Sequence, residues 1–200
     1  MSYADLGLAL PLPVPSIEQQ ARLARRRSAP AQALGGPGPS PAEIEQILRL
    51  GARTPDHGKL FPWRFVVLGP RTRAALAEAL LPLAARQADP GKAGKVLSKL
   101  TAPPLTILVV STPVEGHKVP VWEQELSAGA VCMNLEHAAD ALGYSASWIT
   151  DWYSYDPGAL ALLEVGPGER VAGFIHIGAL AEPPLERPRP DLAAKTAWRP

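Results

Sequence analysis

The pattern of apolar and polar residues predicts helices and strands that alternate along the chain. Residues 105–111 are continuously apolar and β-branched, which is typical of a buried central strand. Shorter strand patterns occur at 63–68, 144–149 and 171–178. Helical spacing of apolar residues appears at 16–27, 40–54, 71–87, 92–101 and 121–142, and a short helix is expected after Asp156. We expect Pro82 to break or kink the helix predicted at residues 71–87.

Helix boundaries carry recognisable capping signals. Ser16 with Gln19, and Ser40 with Glu43, have the spacing of capping boxes, in which each end satisfies the other's backbone N–H. The second helix is expected to stop near Thr54, because a proline follows and disfavours helical backbone before it. The resulting order, α-α-β-α-α-β-α-β-α-β, predicts an α+β or α/β domain with helices covering a small sheet.

Proline and glycine change this picture only at particular places. Together they make up 40 of 200 residues, above the usual share of about 12%. The prolines concentrate at 11–15, 30–41 and 183–190, where they favour extended chain. We therefore divide the sequence into a Pro-rich lead-in (1–15), one domain (16–182) and an extended C-terminal arm (183–200).

Composition excludes several classes of protein. A net charge of +1 lacks the basic excess of a nucleic-acid binder. No apolar stretch reaches the roughly 20 residues of a membrane span, and no signal peptide is recognised. The single cysteine, Cys132, excludes an intrachain disulfide and fits a cytoplasmic location. The four histidines show no helical metal-binding pair, so no metal site is predicted.

Four clusters carry candidate chemistry, although the residues alone leave a structural role open for each. Arg25-Arg26-Arg27-Ser28 ends a helix and suits a phosphate, but arginines there also complement the helix dipole. The loop 53–63 combines Arg53 and His57 with aromatics, as binding loops often do. An Asx turn and a core-filling tryptophan are the structural alternative for that loop.

The two later clusters are equally open. Residues 116–130 read GHKVPVWEQELSAGA, and the small residues near the end allow a planar ligand or a second helix to approach. Residues 148–155, WITDWYSY, combine aromatics and hydroxyls, which suits either a pocket lining or a dimer interface. No dinucleotide fingerprint, P-loop, nucleophile elbow or zinc-protease motif accompanies them.

In this order, the four clusters resemble the minimal, single-domain branch of the FMN-dependent nitroreductase family. The resemblance covers residues 18–190 and is carried by R-R-S (26–28), R-x-P-D-H…P-W (53–63), H-K-V-P-x-W-E-Q-E-x-S-A-G (117–129) and W-x-T (148–150). It implies an α+β nitroreductase-like fold with a small mixed sheet and an intertwined homodimer. FMN lies at the interface of such dimers and is contacted by both subunits.

By position, the resemblance implies a set of cofactor-binding residues. Arg26, Arg27 and Ser28 would hold the FMN phosphate and ring edge, and Trp148, Ile149 and Thr150 would line the isoalloxazine. Arg53 and His57 would reach the flavin across the dimer. The segment assigned to the nicotinamide nucleotide would comprise Ala138, Ala139, Asp140, Ala141, Leu142 and Gly143. No catalytic side chain is implied, because flavin N5 carries the chemistry. In a ping-pong scheme, the flavin accepts a hydride from NAD(P)H and then passes the electrons to a nitroaromatic, quinone or related acceptor.

The sequence departs from the family pattern at three positions. Lys59 and Phe61 stand where most members have Asn and Gln, and Ile149 stands where close relatives often have Arg. A flavin contact is therefore expected to be lost, with Arg64, Arg187 or Arg189 as substitutes. Two alternatives to the reductase remain open: a flavin carrier or sensor without turnover, and a plain structural domain. In an intertwined dimer, we expect the 183–190 arm to be ordered against the partner subunit and residues 1–15 to be accessory.

Overall fold

One antiparallel sheet forms the centre of the protein. The structure, a computed structural model, describes residues 5–199. Its strands are β1 (Trp63–Leu68), β2 (Leu105–Ser111), β3 (Ser145–Ile149) and β4 (Arg170–Gly178). They lie in the order β1-β2-β4-β3, and each neighbouring pair is antiparallel. The expectation of a mixed sheet is therefore wrong for the described residues. Every residue of β2 is buried, as its continuously apolar sequence predicts.

Within residues 5–199, seven helices accompany this sheet, which confirms the predicted α+β class. Their bounds are α1 (Ile17–Arg25), α2 (Pro41–Gly51), α3 (Pro70–Ala84), α4 (Pro90–Lys95), α5 (Ser98–Thr101), α6 (Val121–Ala141) and α7 (Pro157–Leu162). Short 3₁₀ turns lie at Ala31–Ala33, Trp152–Ser154 and Ala193–Lys195. The helices form two layers because alternate side chains of a strand point to opposite faces.

The two faces of the sheet carry separate apolar cores. Ile107 and Val109 of β2 pack with Leu135 of α6 on one face. Leu108 and Val110 pack on the other face with α3, α4, α5 and α7. Helix α6 shows how tightly the first layer is packed: Gly51 of α2 approaches Leu135 so closely that a Cβ would overlap its side chain.

Capping explains where the first helices begin. Ser16 Oγ accepts from Gln19 N at 3.2 Å without a return contact, whereas Ser40 and Glu43 form a complete capping box. Helix α2 ends at Gly51, three residues before Thr54, near which its end was predicted. Thr54 instead donates its hydroxyl to the Gly51 carbonyl at 2.8 Å and so closes the helix end.

Two further boundary predictions need correction. Pro82 lies inside α3, which continues to Ala84; so close to the helix end, the proline removes an N–H from the last turn without breaking it. Residues 92–101 form two short helices rather than one, α4 and α5. Asp89 caps the first through Lys92 N at 2.9 Å and so starts that helix earlier than predicted.

Both Pro-rich ends lie on the surface. Leu12 and Leu185 are each 86% exposed, and the arm touches its own chain where Arg27 Nε donates to Leu185 O at 3.1 Å. Residues 1–4 of the lead-in and residue 200 of the arm lie outside the described range. Order of the arm against a partner subunit stays a prediction. Across residues 5–199, no helix has the length and apolarity to cross a membrane.

Candidate functional site

The Arg26–Ser28 segment runs alongside edge strand β3. It is anchored there by Ala29 N, which donates to Ala146 O at 3.1 Å. Arg26 Nη1 donates to Ser28 Oγ at 3.1 Å, and Arg27 Nη1 donates to Ser28 O at 2.6 Å. All three side chains are half-buried. The segment is thus a compact group of donors fixed against the sheet.

The Trp148–Thr150 segment ends the same strand, and the structure therefore brings the two predicted segments together. Trp148 points toward α6, and its indole N–H donates to Ala172 O at 3.0 Å. Ala172 is the extra residue of a bulge between β4 and β2, so the tryptophan side chain occupies an irregularity of the sheet. A Cβ on the neighbouring Gly173 would overlap the indole. Trp148 is therefore held rigidly at the strand edge.

Ile149 and Thr150 have different surroundings from Trp148. Ile149 points to the opposite face of β3 and packs against the second core. Thr150 is exposed, and its hydroxyl accepts from Tyr155 Oη at 3.0 Å. The W-x-T triplet accordingly presents one side chain to each side of the sheet and one to solvent.

Glu136 links the two segments and was not among the predicted site residues. One carboxylate oxygen accepts from Trp148 N at 3.0 Å, and the other lies 3.7 Å from Arg26 Nη1. The side chain is 5% exposed, and burial raises the pKa of Glu136, while the positive charge of Arg26 partly opposes that rise. A signal was present in the sequence, since Glu136 lies at helical spacing from the apolar residues Cys132 and Ala139 of the predicted helix and so falls on their face.

Two cavities flank the Arg26–Ser28 segment. The first, which we call the arginine cavity, has a volume of about 350 Å³. It is lined by Arg22, Arg25, Arg26, Arg27, Glu136, Asp140, Tyr144, Ser145, Ala146 and Pro184. Its carboxylates are already paired: Asp140 lies 3.2 Å from Arg22, and Glu136 faces Arg26. Two of its four arginines are therefore paired within the chain.

The second, which we call the lysine cavity, has a volume of about 280 Å³ and lies on the other side of Arg27. Its lining comprises Arg27, Ser28, Ala29, Pro30, Ala31, Gln32, Lys99, Ser147 and Ile149. The lining contains two cations, two hydroxyls and an amide, and it contains no carboxylate. Those donors suit an anionic group such as a phosphate.

Arg53 and His57 lie apart from these cavities. His57 Nδ1 lies 2.7 Å from Glu123 Oε2, and the loop is fixed by Ser127 Oγ, which donates to Pro55 O at 3.0 Å. Both contacts are made to the N-terminal half of α6, whereas Glu136 lies nine residues further on. At 1.5 Å per residue, that separation is about 13 Å along the helix axis. Within one chain, the loop does not join the Arg26–Ser28 segment.

The loop before β1 combines structural turn contacts with two residues on left-handed backbone. Asp56 Oδ1 accepts from Leu60 N at 2.7 Å, which is a structural turn contact, and Trp63 Nε1 donates to Ser127 Oγ at 3.3 Å. Lys59 and Phe61 both adopt left-handed backbone, with φ of 55° and 48°. Such backbone is strained for a bulky residue. Phe61 is also 61% exposed, so two of the three departures from the family pattern, Lys59 and Phe61, lie on strained backbone.

The segment predicted to meet a nicotinamide nucleotide is only partly accessible. Ala138 and Ala139 are buried, whereas Asp140 is exposed and accepts from Arg22 through both its carboxylate and its backbone carbonyl. Gly143 follows the end of α6 with φ of 86°, a conformation that glycine adopts without strain. Of the segment, Asp140 is the residue that lines the arginine cavity.

The remaining reactive side chains are withdrawn from chemistry. Cys132 is buried, and burial raises the pKa of its thiol to about 12, so the sulfur stays protonated and unreactive. Among residues 5–199, no cluster of His, Cys, Asp and Glu could hold a metal ion. His117 accepts from Val119 N at 3.1 Å in a surface loop.

Comparison with known proteins agrees with this geometry. The profile of the Nitroreductase family matches residues 23–179. The chain belongs to the nitroreductase family. A curated relative, "Putative NAD(P)H nitroreductase YdjA" of Escherichia coli (strain K12), is 34% identical over 157 residues, which cover 78% of this chain and 85% of the relative.

Solved structures confirm the nitroreductase-like fold. A nitroreductase-like family protein from Bacillus cereus superimposes with a TM-score of 0.79 at 20% identity, covering 95% of this chain and 99% of that one. A nitroreductase with bound FMN from Bacteroides fragilis NCTC 9343 gives a TM-score of 0.73 at 19% identity, covering 92% and 100%. The family and fold implied by the sequence motifs are therefore confirmed, and the predicted roles of individual site residues stay predictions.

Proposed function

We propose that the protein is an FMN-dependent oxidoreductase that takes electrons from NAD(P)H and reduces nitroaromatic, quinone or related acceptors. The observation that carries the proposal is the joining of Arg26–Ser28 and Trp148–Thr150 at the edge of β3, through Glu136, beside two cavities rich in donors. When bound, FMN would supply hydride transfer through its N5 atom. The chain's own task is then to bind, orient and shield the cofactor.

The donors at this edge fit FMN. A phosphate monoester carries about two negative charges at neutral pH, and Arg27 and Ser28 offer guanidinium and hydroxyl donors within one cavity. Trp148 is locked by its contact with Ala172 and provides a rigid edge for a ring system. Arg26, which is paired with Glu136, is the third donor proposed for the cofactor.

We infer that a homodimer completes the site. Trp122 and Leu126 on α6 are 66% and 51% exposed, and their spacing of four residues places both on one helix face. This apolar face adjoins His57, which with Leu126 lines an open groove. Burying the face against a second copy would bring the partner's loop toward the flavin, which is the role proposed for Arg53 and His57. The holoprotein in solution is accordingly expected to have the mass of two chains, measured by sedimentation equilibrium.

Two further assignments belong to the same proposal. The segment 138–143 would meet the nicotinamide nucleotide at the rim of the arginine cavity, with Asp140 and Arg22 as its exposed polar groups. The protein would act in the cytoplasm, which agrees with a single buried, protonated cysteine. Neither nucleic acid nor membrane is proposed as a partner.

One experiment tests the function directly. Purified protein reconstituted with FMN is mixed anaerobically with NADPH or NADH while flavin absorbance is followed. We expect bleaching of the oxidised flavin and its return when a nitroaromatic or quinone is added. Flavin that binds but stays oxidised would contradict the reductase.

That last result would favour the second candidate, a flavin carrier or sensor without turnover. The observation behind it is Phe61, an exposed aromatic on strained backbone where most of the family has a hydrogen-bonding side chain. Failure to bind flavin at all would contradict both candidates and leave a structural domain.

A further inference from the structure

We propose that Lys99 is the second cation that binds the FMN phosphate, within the lysine cavity and opposite Arg27. The inference rests on the proposed function, because it names a residue that would hold the same cofactor. Lys99 lies outside all four motifs. Its placement accounts for Ile149 standing where close relatives often have Arg, because Lys99 on α5 supplies a positive charge to the cavity that Ile149 of β3 also lines.

The placement of Lys99 is fixed by its helix. Leu100, the next residue, is fully buried, and its carbonyl accepts from Arg73 Nη1 at 2.5 Å. Arg73 is itself buried and also donates to Leu68 O and Pro104 O. At the other side, Gln32 Nε2 donates to Ser98 Oγ at 3.4 Å and ties α5 to the cavity's lining loop. A four-residue helix is thus held firmly enough to position an ammonium group.

The charge of Lys99 is only partly satisfied within the chain. Its Nζ lies 2.8 Å from Asp151 Oδ2, and the two side chains are 27% and 19% exposed. Asp151 stands outside the cavity lining, where its other oxygen accepts from Trp152 N at 2.8 Å. An ammonium has three N–H donors, so this one contact leaves donors free for an anion. The flexible lysine stem allows the ammonium to reach a phosphate as a point charge.

The other cations named as substitutes are committed elsewhere. Arg64 forms a two-pronged ion pair with Glu169 at 3.0 and 2.8 Å and also donates to Glu164 O. Arg189 donates to Arg26 O and pairs with Glu186. Arg187 lies on the exposed arm and lines neither cavity. Of the cations considered for this role, Lys99 is the one that shares a cavity with Ile149.

Comparison of the two cavities explains why the phosphate belongs beside Lys99. The arginine cavity holds Glu136 and Asp140 in its lining, and both would repel a phosphate. The lysine cavity presents Arg27 and Lys99 with Ser28, Ser147 and Gln32, and no carboxylate lines it. Two of the four arginines in the arginine cavity are thus paired with carboxylates of its own lining, whereas an anion in the lysine cavity meets Arg27 and Lys99 with no carboxylate in the lining.

The test compares FMN with riboflavin, which has the same ring and no phosphate. Dissociation constants are measured by quenching of flavin fluorescence for the wild-type protein and for Lys99→Gln. We expect Lys99→Gln to weaken FMN binding about 10- to 100-fold, the range for losing a charge-assisted contact. Riboflavin binding is expected to change less than about twofold, since no phosphate contact is lost. Lys95→Gln, an equal charge change on α4 outside the cavity, is the matched control.

Second-site variants keep the proposal separate from a stability effect. Lys99→Arg is expected to retain FMN affinity, and Ile149→Arg in the Lys99→Gln background is expected to restore most of it, because the new guanidinium enters the same cavity. Equal losses for FMN and riboflavin, or equal losses in Lys95→Gln, would overturn the phosphate contact. FMN binding by the wild type that Lys99→Gln leaves intact would overturn this inference alone, whereas no flavin binding by the wild type would overturn the proposed function itself.

Discussion

The arginine cavity and the lysine cavity share Arg27 but differ in how their charge is balanced. In the first, two arginines are paired with Asp140 and Glu136. In the second, no carboxylate stands in the lining between Arg27 and Lys99. A count of arginines would place the anion in the first cavity, yet the field depends on the carboxylates that accompany them. Because two carboxylates offset two of the four arginines, the cluster with more arginines has no greater formal charge than the pair formed by Arg27 and Lys99.

The pKa values of the buried ionisable groups near the two cavities are shifted in opposite directions. Glu136 beside the arginine cavity has its pKa raised by burial. His176 of β4 lies opposite Ser147 of β3, a residue that lines the lysine cavity. Burial, together with the charges of Arg73 and Lys99, lowers the pKa of His176 to about 3. His176 accordingly stays neutral, with Nδ1 placed 2.8 Å from Thr106 Oγ1. Burial is the larger cause of this shift, and the charges of Arg73 and Lys99 act in the same direction.

The largest expected effect is the acid sensitivity that His176 gives to folding. The unfolded chain binds a proton near pH 6.5 and the folded chain does so only near pH 3, so stability is complete above pH 6.5 and falls as the pH drops. The fall is about 1.4 kcal/mol per pH unit, or about 4 kcal/mol down to pH 3.5. Urea unfolding across this range is expected to show a flatter profile for His176→Gln. Parallel profiles for the two proteins would contradict a neutral buried histidine.

The next largest effect separates the cavities through their arginines. Arg27 lines both, whereas Arg25 lines only the arginine cavity and is exposed. We expect Arg27→Ala to weaken FMN binding by about 1.5–3 kcal/mol, because it removes a charge-assisted contact. Arg25→Ala is expected to change it by less than about 0.5 kcal/mol, as exposed charges usually do. Titration of flavin fluorescence gives both values, and the reverse ranking would move the phosphate into the arginine cavity.

The fold was largely predictable, because its signals are local. The continuous apolar run of β2 and the Ser40–Glu43 cap each report on neighbouring residues alone. The errors arose at the boundaries of elements. Close contacts such as that of Gly51 with Leu135 of α6, 84 residues away in the chain, are not visible in any local pattern.

The candidate site was predictable only as far as its motifs extend. Motif order placed Arg26–Ser28 and Trp148–Thr150 in one site, and the structure brings them together at β3. Lys99 and Glu136 were missed, because each reaches the site from a helix that no motif marks. For Glu136, a carboxylate within an apolar helix was a usable signal; for Lys99, only the three-dimensional neighbourhood of Ile149 reveals the role.

The smallest expected effect tests the carboxylate that distinguishes the arginine cavity. Glu136→Gln keeps an oxygen that can accept from Trp148 N but removes the charge that faces Arg26. With the phosphate in the lysine cavity, the released guanidinium is expected to improve FMN affinity by only about 0.5 kcal/mol, a value typical of a screened, more distant charge. A gain of more than about 1.4 kcal/mol, or tenfold, would mean that the phosphate contacts Arg26 directly.

The pH dependence of stability supplies an independent check on Glu136. Because the folded pKa of Glu136 is raised, the wild type should gain stability relative to Glu136→Gln as the pH falls from 7 toward 4.5. This change is opposite in sign to the effect of His176.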